Sequence, residues 1–295
     1  MVRIKLDHLS IMHSNYKDIK SFAKINLGLK ILDLLPDGYH AISTIMQEID
    51  LHDLITIEPI EQLEIKITCT GPVSVPPDYS NLCVQAAQLI FSNYNCNHGI
   101  HIFLNKNIPV GAGLGGGSSN AATILCSLNK LFKLKINDFD LHQLAFQLGC
   151  DVPFFINGGI QLSEGKGEIL SPVSINLNKY YMVLVLPKFS VSTKWAYSFF
   201  KNDLSKTFDS NKFRSFQHDI DWALFENDFE KVINLTYPEV GQIRDTLESK
   251  EALFVSLSGS GSTMFGIFDN FLNADLARQA LKTYKSHIVR TINRV

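Results

Sequence analysis

The residues from Pro109 to Ser119 read PVGAGLGGGSS, and five of the seven from Gly111 to Gly117 are glycine. A helical pattern follows at once, with Ala121, Leu125, Leu128 and Phe132 at the spacing of one helix face. Glycine lets backbone N–H groups come close to a ligand. The first turn of a helix also offers unpaired N–H groups and the positive end of the dipole. The chemistry this stretch points to is phosphate binding, with Ser118 and Ser119 as helix caps or as hydroxyl donors to phosphate or Mg²⁺.

Spacing separates the loops that look alike. Gly111, Gly113 and Gly116 match G-x-G-x-x-G, a weak signal alone. A dinucleotide fold then needs a helix, a strand and an acid about 20 residues on. Asp138 and Asp140 lie near that distance, but two helical patterns intervene with no strand between them. In the Walker pattern, Gly111, Gly116 and Ser118 are correctly placed, but the lysine position holds Gly117. The glycine loop of protein kinases is excluded by the absence of V-A-I-K, H-R-D and D-F-G. A phosphate cradle without its own lysine remains, and the missing charge must come from elsewhere.

Lys24 is a candidate for that charge. It shares one face of the alternating run FAKINLGLKIL with Asn26, Gly28 and Lys30, opposite Ala23, Ile25, Leu27, Leu29 and Ile31. The ordinary reading of such a face is solvent exposure. Asp151 follows a helix stop at Gly149 and precedes VPFFI. It is an ordinary turn aspartate unless it takes a proton from a hydroxyl. Tyr39 and His40 follow a D-G turn and read by default as half-buried loop aromatics. SLSGSGSTMFGIF reads as two strands around a Ser/Gly turn.

The elements that must carry these residues follow from periodicity. LITIEPI, LEIKIT and GIHIFLN alternate as strands and predict an antiparallel sheet in the first third. Helices are predicted after Ser80, after the glycine loop, after Asn137, at STKWAYSFF with Ser192 or Thr193 as cap, and through Lys250. VPFFI and GIQLS read as strands, as does YYMVLVLP. A last helix is expected over Asn273 to Lys285, and HIVRTI closes as a strand. The polar stretch from Gly165 to Asn178 suggests a soft boundary, dividing residues 1–165 from 166–295. The class is α+β.

The bulk numbers agree with this. In 295 residues, 45% are hydrophobic and 19% charged, with a net charge of −2 and no basic stripe, so no nucleic-acid partner is expected. The first 20 residues have no apolar leader and carry Asp7 and Asp18, and the longest apolar run is too short to span a bilayer. Five scattered cysteines without C-x-x-C read as reduced thiols, and the H-x-x-H of His98 and His101 has no cysteine pair to complete a zinc site. A cytoplasmic protein, monomeric or weakly dimeric and without a membrane partner, is expected.

The motif PVGAGLGGGSSNAA resembles the phosphate-binding motif of the GHMP kinases. SFAKINLGL, DGYHAISTIMQEIDLHD, LGCDVPFFINGG and SLSGSGSTMFGIF follow in the order of its members that act on a cytidine diphosphate methylerythritol. The resemblance runs from Ser21 almost to the end. It implies a two-domain GHMP kinase fold, with mixed or antiparallel sheets and helices packed on them. Residues 1–165 would be the ATP-binding and catalytic part, and residues 166–295 a C-terminal part contributing to the substrate pocket. ATP is implied as co-substrate, with Mg²⁺. Asp151 would be the catalytic carboxylate and Lys24 its cationic partner. Pro109, Val110, Gly111, Ala112, Gly113, Leu114, Gly115, Gly116, Gly117, Ser118 and Ser119 would bind ATP. Asn26, Tyr39, His40, Thr193 and Tyr197 would hold the small-molecule substrate, with His40 reading the cytosine edge and Tyr39 and Tyr197 sandwiching the base. Ala112 departs mildly from the family, where glycine is common, and the segment before Lys24 is longer than usual. Another small-molecule kinase of the family, such as one acting on homoserine, is the alternative.

Overall fold

A D-G turn sets up the first hairpin. Gly38 takes φ +84°, a region open to glycine, and Leu35 N donates to Tyr39 O at 2.7 Å. This joins β1 (Ile19–Leu34) to β2 (His40–Ile60). The chain is represented by a computed structural model that describes residues 16–200 and 220–294. The N-terminal stretch with Asp7, and the helical pattern expected across 201–219, lie outside these residues.

After β3 (Ile65–Thr70), Asn81 caps α1 (Leu82–Asn93) by accepting from Cys83 N at 3.0 Å. The cap is therefore one residue beyond the predicted Ser80, whose own hydroxyl is engaged by Asp78. β4 (Gly99–Asn105) leads to the glycine loop and α2 (Gly116–Leu131). Asn137 caps α3 (Asp138–Leu148) as predicted, accepting from Asp140 N at 2.9 Å, and Asp138 and Asp140 suit the positive end of its dipole.

VPFFI does not form the expected strand. It makes a short helix, α4 (Phe154–Asn157), which Pro153 starts and Gly158 and Gly159, at φ +64° and +71°, stop. Strands β5 (Ile160–Gly165), β6 (Ile169–Pro172) and β7 (Tyr181–Leu186) follow. Next come α5 (Thr193–Tyr197), capped by Ser192, and a 3₁₀ turn at Trp222–Leu224. The chain then runs through α6 (Glu230–Thr236), α7 (Glu239–Glu248), β8 (Phe254–Leu257) and β9 (Met264–Phe268). The final elements are α8 (Phe271–Ala280) and β10 (Lys285–Val289). Both lie earlier than the sequence pattern suggested, because Asn270 caps the helix by accepting from Asn273 N at 2.9 Å.

The chain forms two compact units that interleave in sequence. The first holds the chain up to Ala23, Leu51–Val110 and Gly116–Asn157. The second holds Lys24–Asp50, Gly111–Gly115 and everything from Gly158. They do not coincide with a single cut at residue 165, because β1, β2 and the glycine loop each run from one unit into the other. In the first unit β4 pairs parallel with β3 and antiparallel with the second half of β2, as in Ile57↔Ile102. Ile100, Ile102 and Leu104 are buried there, as are Ala86, Ile90, Ala121 and Leu125 of α1 and α2.

In the second unit the first half of β2 pairs antiparallel with β5, and β5 with β6. A separate antiparallel sheet has the order β10-β7-β9-β8. Val183, Val185, Leu257, Met264 and Phe268 from that sheet share one core with Ile233, Ile243, Leu247, Ala274 and Ala277 from the helices. Leu29 and Ile31 of β1 join this core, so β1 is buried on both faces there. The solvent-facing row expected for Lys24 and Asn26 is therefore a buried one.

Candidate active site

Three glycines of the loop, Gly111, Gly113 and Gly115, have φ of +67°, +78° and +66°. Gly113 is also sterically obligatory, since a Cβ there would lie 2.0 Å from Ser258 O. The partner is the Ser/Gly turn between β8 and β9, in the same unit. Ser258 Oγ donates to Gly113 O at 2.8 Å, and Thr263 N donates to Ala112 O at 3.3 Å. The turn is itself pinned by Asn227, whose buried amide donates to Leu257 O and Gly259 O, both at 2.9 Å. Leu114 O accepts from Lys24 N at 3.0 Å, so β1 holds the other side of the loop.

Lys24 is 3% exposed. Its Nζ donates to Asn26 Oδ1 at 2.5 Å, Asn26 Nδ2 donates to Thr44 Oγ1 at 2.9 Å, and Thr44 Oγ1 donates to Gly28 O at 2.5 Å. A buried amide pointing its oxygen at an ammonium is thus oriented by its own nitrogen. Gly259 packs close by, where a Cβ would be 3.4 Å from Asn26 Oδ1.

The described ring contacts involve both turn aromatics. Tyr39 is 58% exposed and lies under Lys166 Nζ, 5.1 Å from the ring centroid. His40 is the residue parallel to Tyr197, with centroids 5.5 Å apart and planes 10° apart. In a strand, successive side chains point to opposite faces, so only one of the two turn aromatics can face Tyr197. Phe229 backs Tyr197 edge-on at 4.9 Å. His40 Nδ1 is buried and has no hydrogen-bond partner among the described residues. Such an atom is costly unless a ligand satisfies it. Thr193 Oγ1 meets Ser260 Oγ at 3.1 Å, which ties α5 to the Ser/Gly turn.

In the first unit, Gly116 and Gly117 open α2. Of the two serines, Ser119 is buried with its hydroxyl 2.8 Å from Ser21 Oγ, while Ser118 is half-buried. Asn120 donates to Ser21 Oγ and to Asp53 Oδ2, both at 2.9 Å. Asp53 Oδ2 also receives Lys106 Nζ at 2.5 Å. Burial pulls the Lys106 ammonium below its ordinary pKa, and the Asp53 charge partly restores it. Asp151 is half-buried in the turn between α3 and α4, where Val152 N donates to Gly149 O at 3.1 Å.

Sequence reasoning missed Asn227, Ser258, Asp53 and Lys106 as parts of this framework. Lys106 does stand three residues before Pro109, but nothing in the sequence marks a lysine as buried. Among the described residues no group of three His, Cys, Asp or Glu side chains forms a cation cage, and no helix is long and apolar enough to cross a membrane. No disulfide links the five cysteines.

Comparison with known proteins adds the family. Residues 81–159 match the GHMP kinases N terminal domain, and residues 206–287 match the GHMP kinases C terminal. A 4-diphosphocytidyl-2-C-methyl-D-erythritol kinase of Prosthecochloris aestuarii is 39% identical over 275 residues, covering 91% of this chain and 95% of the relative. The crystal structure of a 4-(cytidine 5'-diphospho)-2C-methyl-D-erythritol kinase superposes with TM-score 0.74 at 28% identity, over 94% of this chain and 100% of that one. A homoserine kinase from Cytophaga hutchinsonii, at 19% identity and TM-score 0.67 over 94% of this chain and 97% of its own, shares the fold. With its glycine loop, its oriented lysine and a relative matched over nearly its whole length, the chain belongs to the 4-diphosphocytidyl-2-C-methyl-D-erythritol kinases of the GHMP kinase superfamily.

Proposed function

We propose that this chain transfers the γ-phosphoryl group of ATP to the 2-hydroxyl of 4-diphosphocytidyl-2-C-methyl-D-erythritol, giving the 2-phosphate and ADP. This is a step in making isoprenoid precursors by the non-mevalonate route. The observation that carries the reading is the 39% identity extending over 95% of the relative. On this reading residues 1–165 are the ATP-binding and catalytic part, residues 166–295 complete the substrate pocket, and the enzyme works in the cytoplasm.

Phosphoryl transfer asks a protein for position and charge more than for covalent chemistry. The backbone from Pro109 to Ser119 holds the ATP phosphates. Its helix-start N–H groups meet anionic oxygens, and Ser118 is the better placed hydroxyl because Ser119 is engaged with Ser21. The Ser118 hydroxyl is the one placed to help hold Mg²⁺, which when bound with the nucleotide would neutralise phosphate charge. Lys24, oriented by Asn26, supplies the cation that a Walker lysine would bring. Asp151 takes the proton as the substrate hydroxyl oxygen bonds to phosphorus and ADP leaves.

The substrate's cytidyl end is assigned to His40 and Tyr197, with Thr193, Asn26 and Tyr39 around the bound molecule. The unpartnered buried Nδ1 of His40 suits a donor or acceptor on the base edge. A homoserine site needs no such aromatic pair. ADP release measured with the cytidyl methylerythritol substrate, homoserine, mevalonate and galactose tests the assignment. Turnover is expected with the first alone, and turnover with one of the other three in its place would sink it.

A further inference from the structure

Asp53 has a fully buried carboxylate that the proposed chemistry does not use. Four donors converge on it. Oδ1 accepts from Asn107 N at 2.7 Å and Ile108 N at 2.8 Å, and Oδ2 accepts from Lys106 Nζ at 2.5 Å and Asn120 Nδ2 at 2.9 Å. Lys106, Asn107 and Ile108 are the residues just before Pro109. Asn120 is the residue just after Ser119. A single side chain therefore ties the chain on both sides of the glycine loop. The two tied segments are also pressed together, because a Cβ on Gly116 would lie 2.8 Å from both Lys106 Nζ and Ile108 Cγ2.

Any buried ion pair needs further hydrogen bonds to satisfy its remaining lone pairs, so what distinguishes this one is where those bonds come from. Here half of the carboxylate's bonds go to backbone N–H groups of the segment approaching the loop, and another goes to the first helix of the loop's far side. We propose that Asp53 is a positioning residue that fixes the separation of the two ends of the glycine loop, and through it the grip on the ATP phosphates. This rests on the reading that the loop holds ATP. The loop's own glycines have wide conformational freedom, so its shape must be imposed from its ends. Charge-assisted bonds from a water-excluded carboxylate are the strong way to do so.

The experiment is an ATP titration of turnover at saturating cytidyl substrate for the wild type, Asp53→Asn and Asn120→Ala, with calorimetric ATP binding and thermal unfolding on the same samples. Asp53→Asn is expected to raise KM for ATP about tenfold, the scale of one hydrogen bond to a charged group, with KM for the cytidyl substrate unchanged. Asn120→Ala leaves the ion pair and both backbone bonds in place. It keeps the test open if Asp53→Asn does not fold, and a smaller rise in the same constant is expected. Unchanged ATP affinity in a folded variant, or an equal rise for both substrates, would overturn the proposal. Wild-type turnover tests the kinase reading separately. If turnover is absent while ATP binds, the same ranking is expected in the calorimetric affinities, and a wild type that does not bind ATP overturns the positioning role as well.

Discussion

Two lysines of this chain are almost equally buried, Lys24 at 3% and Lys106 at 2% exposure, yet they sit in different company. Lys106 meets a carboxylate that already accepts three other bonds, so its charge is absorbed by the framework. Lys24 leans on an amide oxygen, at the head of a row that passes from Asn26 to Thr44 to the Gly28 carbonyl. An amide oxygen sets the direction of an ammonium. Burial alone does not separate the two lysines; the kind of side chain that orients each one does. The first lysine is the one assigned to the phosphoryl group, and the second to the approach of the loop.

Substitutions can break this contrast. Asp151→Asn and Lys24→Ala should each lower kcat about 10³-fold, within the range for removing a general base or an electrostatic stabiliser, while ATP binding changes far less. Steady-state ADP release beside calorimetric ATP binding checks this, and near-normal turnover in either variant removes that residue from the mechanism. Lys106→Met should act on stability instead. It strands the Asp53 carboxylate without its cation, a change that costs about 3–5 kcal/mol, readable by urea unfolding. If Lys106→Met folds normally but loses turnover as Lys24→Ala does, the contrast is wrong.

Smaller effects sharpen it. His40→Ala should raise KM for the cytidyl substrate about tenfold, the scale of one base-stacking contact, and leave KM for ATP alone. A rise in both constants would place His40 with the framework rather than with the substrate. The two serines at the head of α2 give the mildest test. Ser119→Ala should cost about 1 kcal/mol of stability through its lost bond to Ser21. Ser118→Ala should leave stability unchanged and weaken ATP binding, and the reverse pattern would exchange their assigned tasks.

The loop could be read from the sequence because its signal is local. Glycines in a row before an Ala-rich helix mark a tight turn into a helix start, and Gly117 in place of a Walker lysine sets it apart from a Walker loop. The buried polar row of β1 was hidden, since alternation shows which residues share a face but not what covers it. Its second face was filled by elements distant in sequence, such as the 226–228 segment that bonds Leu29 on both its N–H and its carbonyl. The choice between Tyr39 and His40 depended on which of two neighbours points toward Tyr197, a matter of strand phase at the end of a turn. The Asp53 cluster was beyond reach for a different reason. Its members come from β2, the end of β4 and α2, and a carboxylate 53 residues before its lysine leaves no periodic trace.

The bond from Ser258 to Gly113 spans 145 positions of the chain. A ribosome makes the glycines early and the turn that shapes them late, so a nascent chain ending before Ser258 carries the glycine loop without the partners that fix Gly113 and Ala112. Contacts of such long range are slow to close. The glycine loop is therefore among the last parts of the molecule to mature, and a growing chain fixes its backbone only when β9 pairs beside β7 and β8.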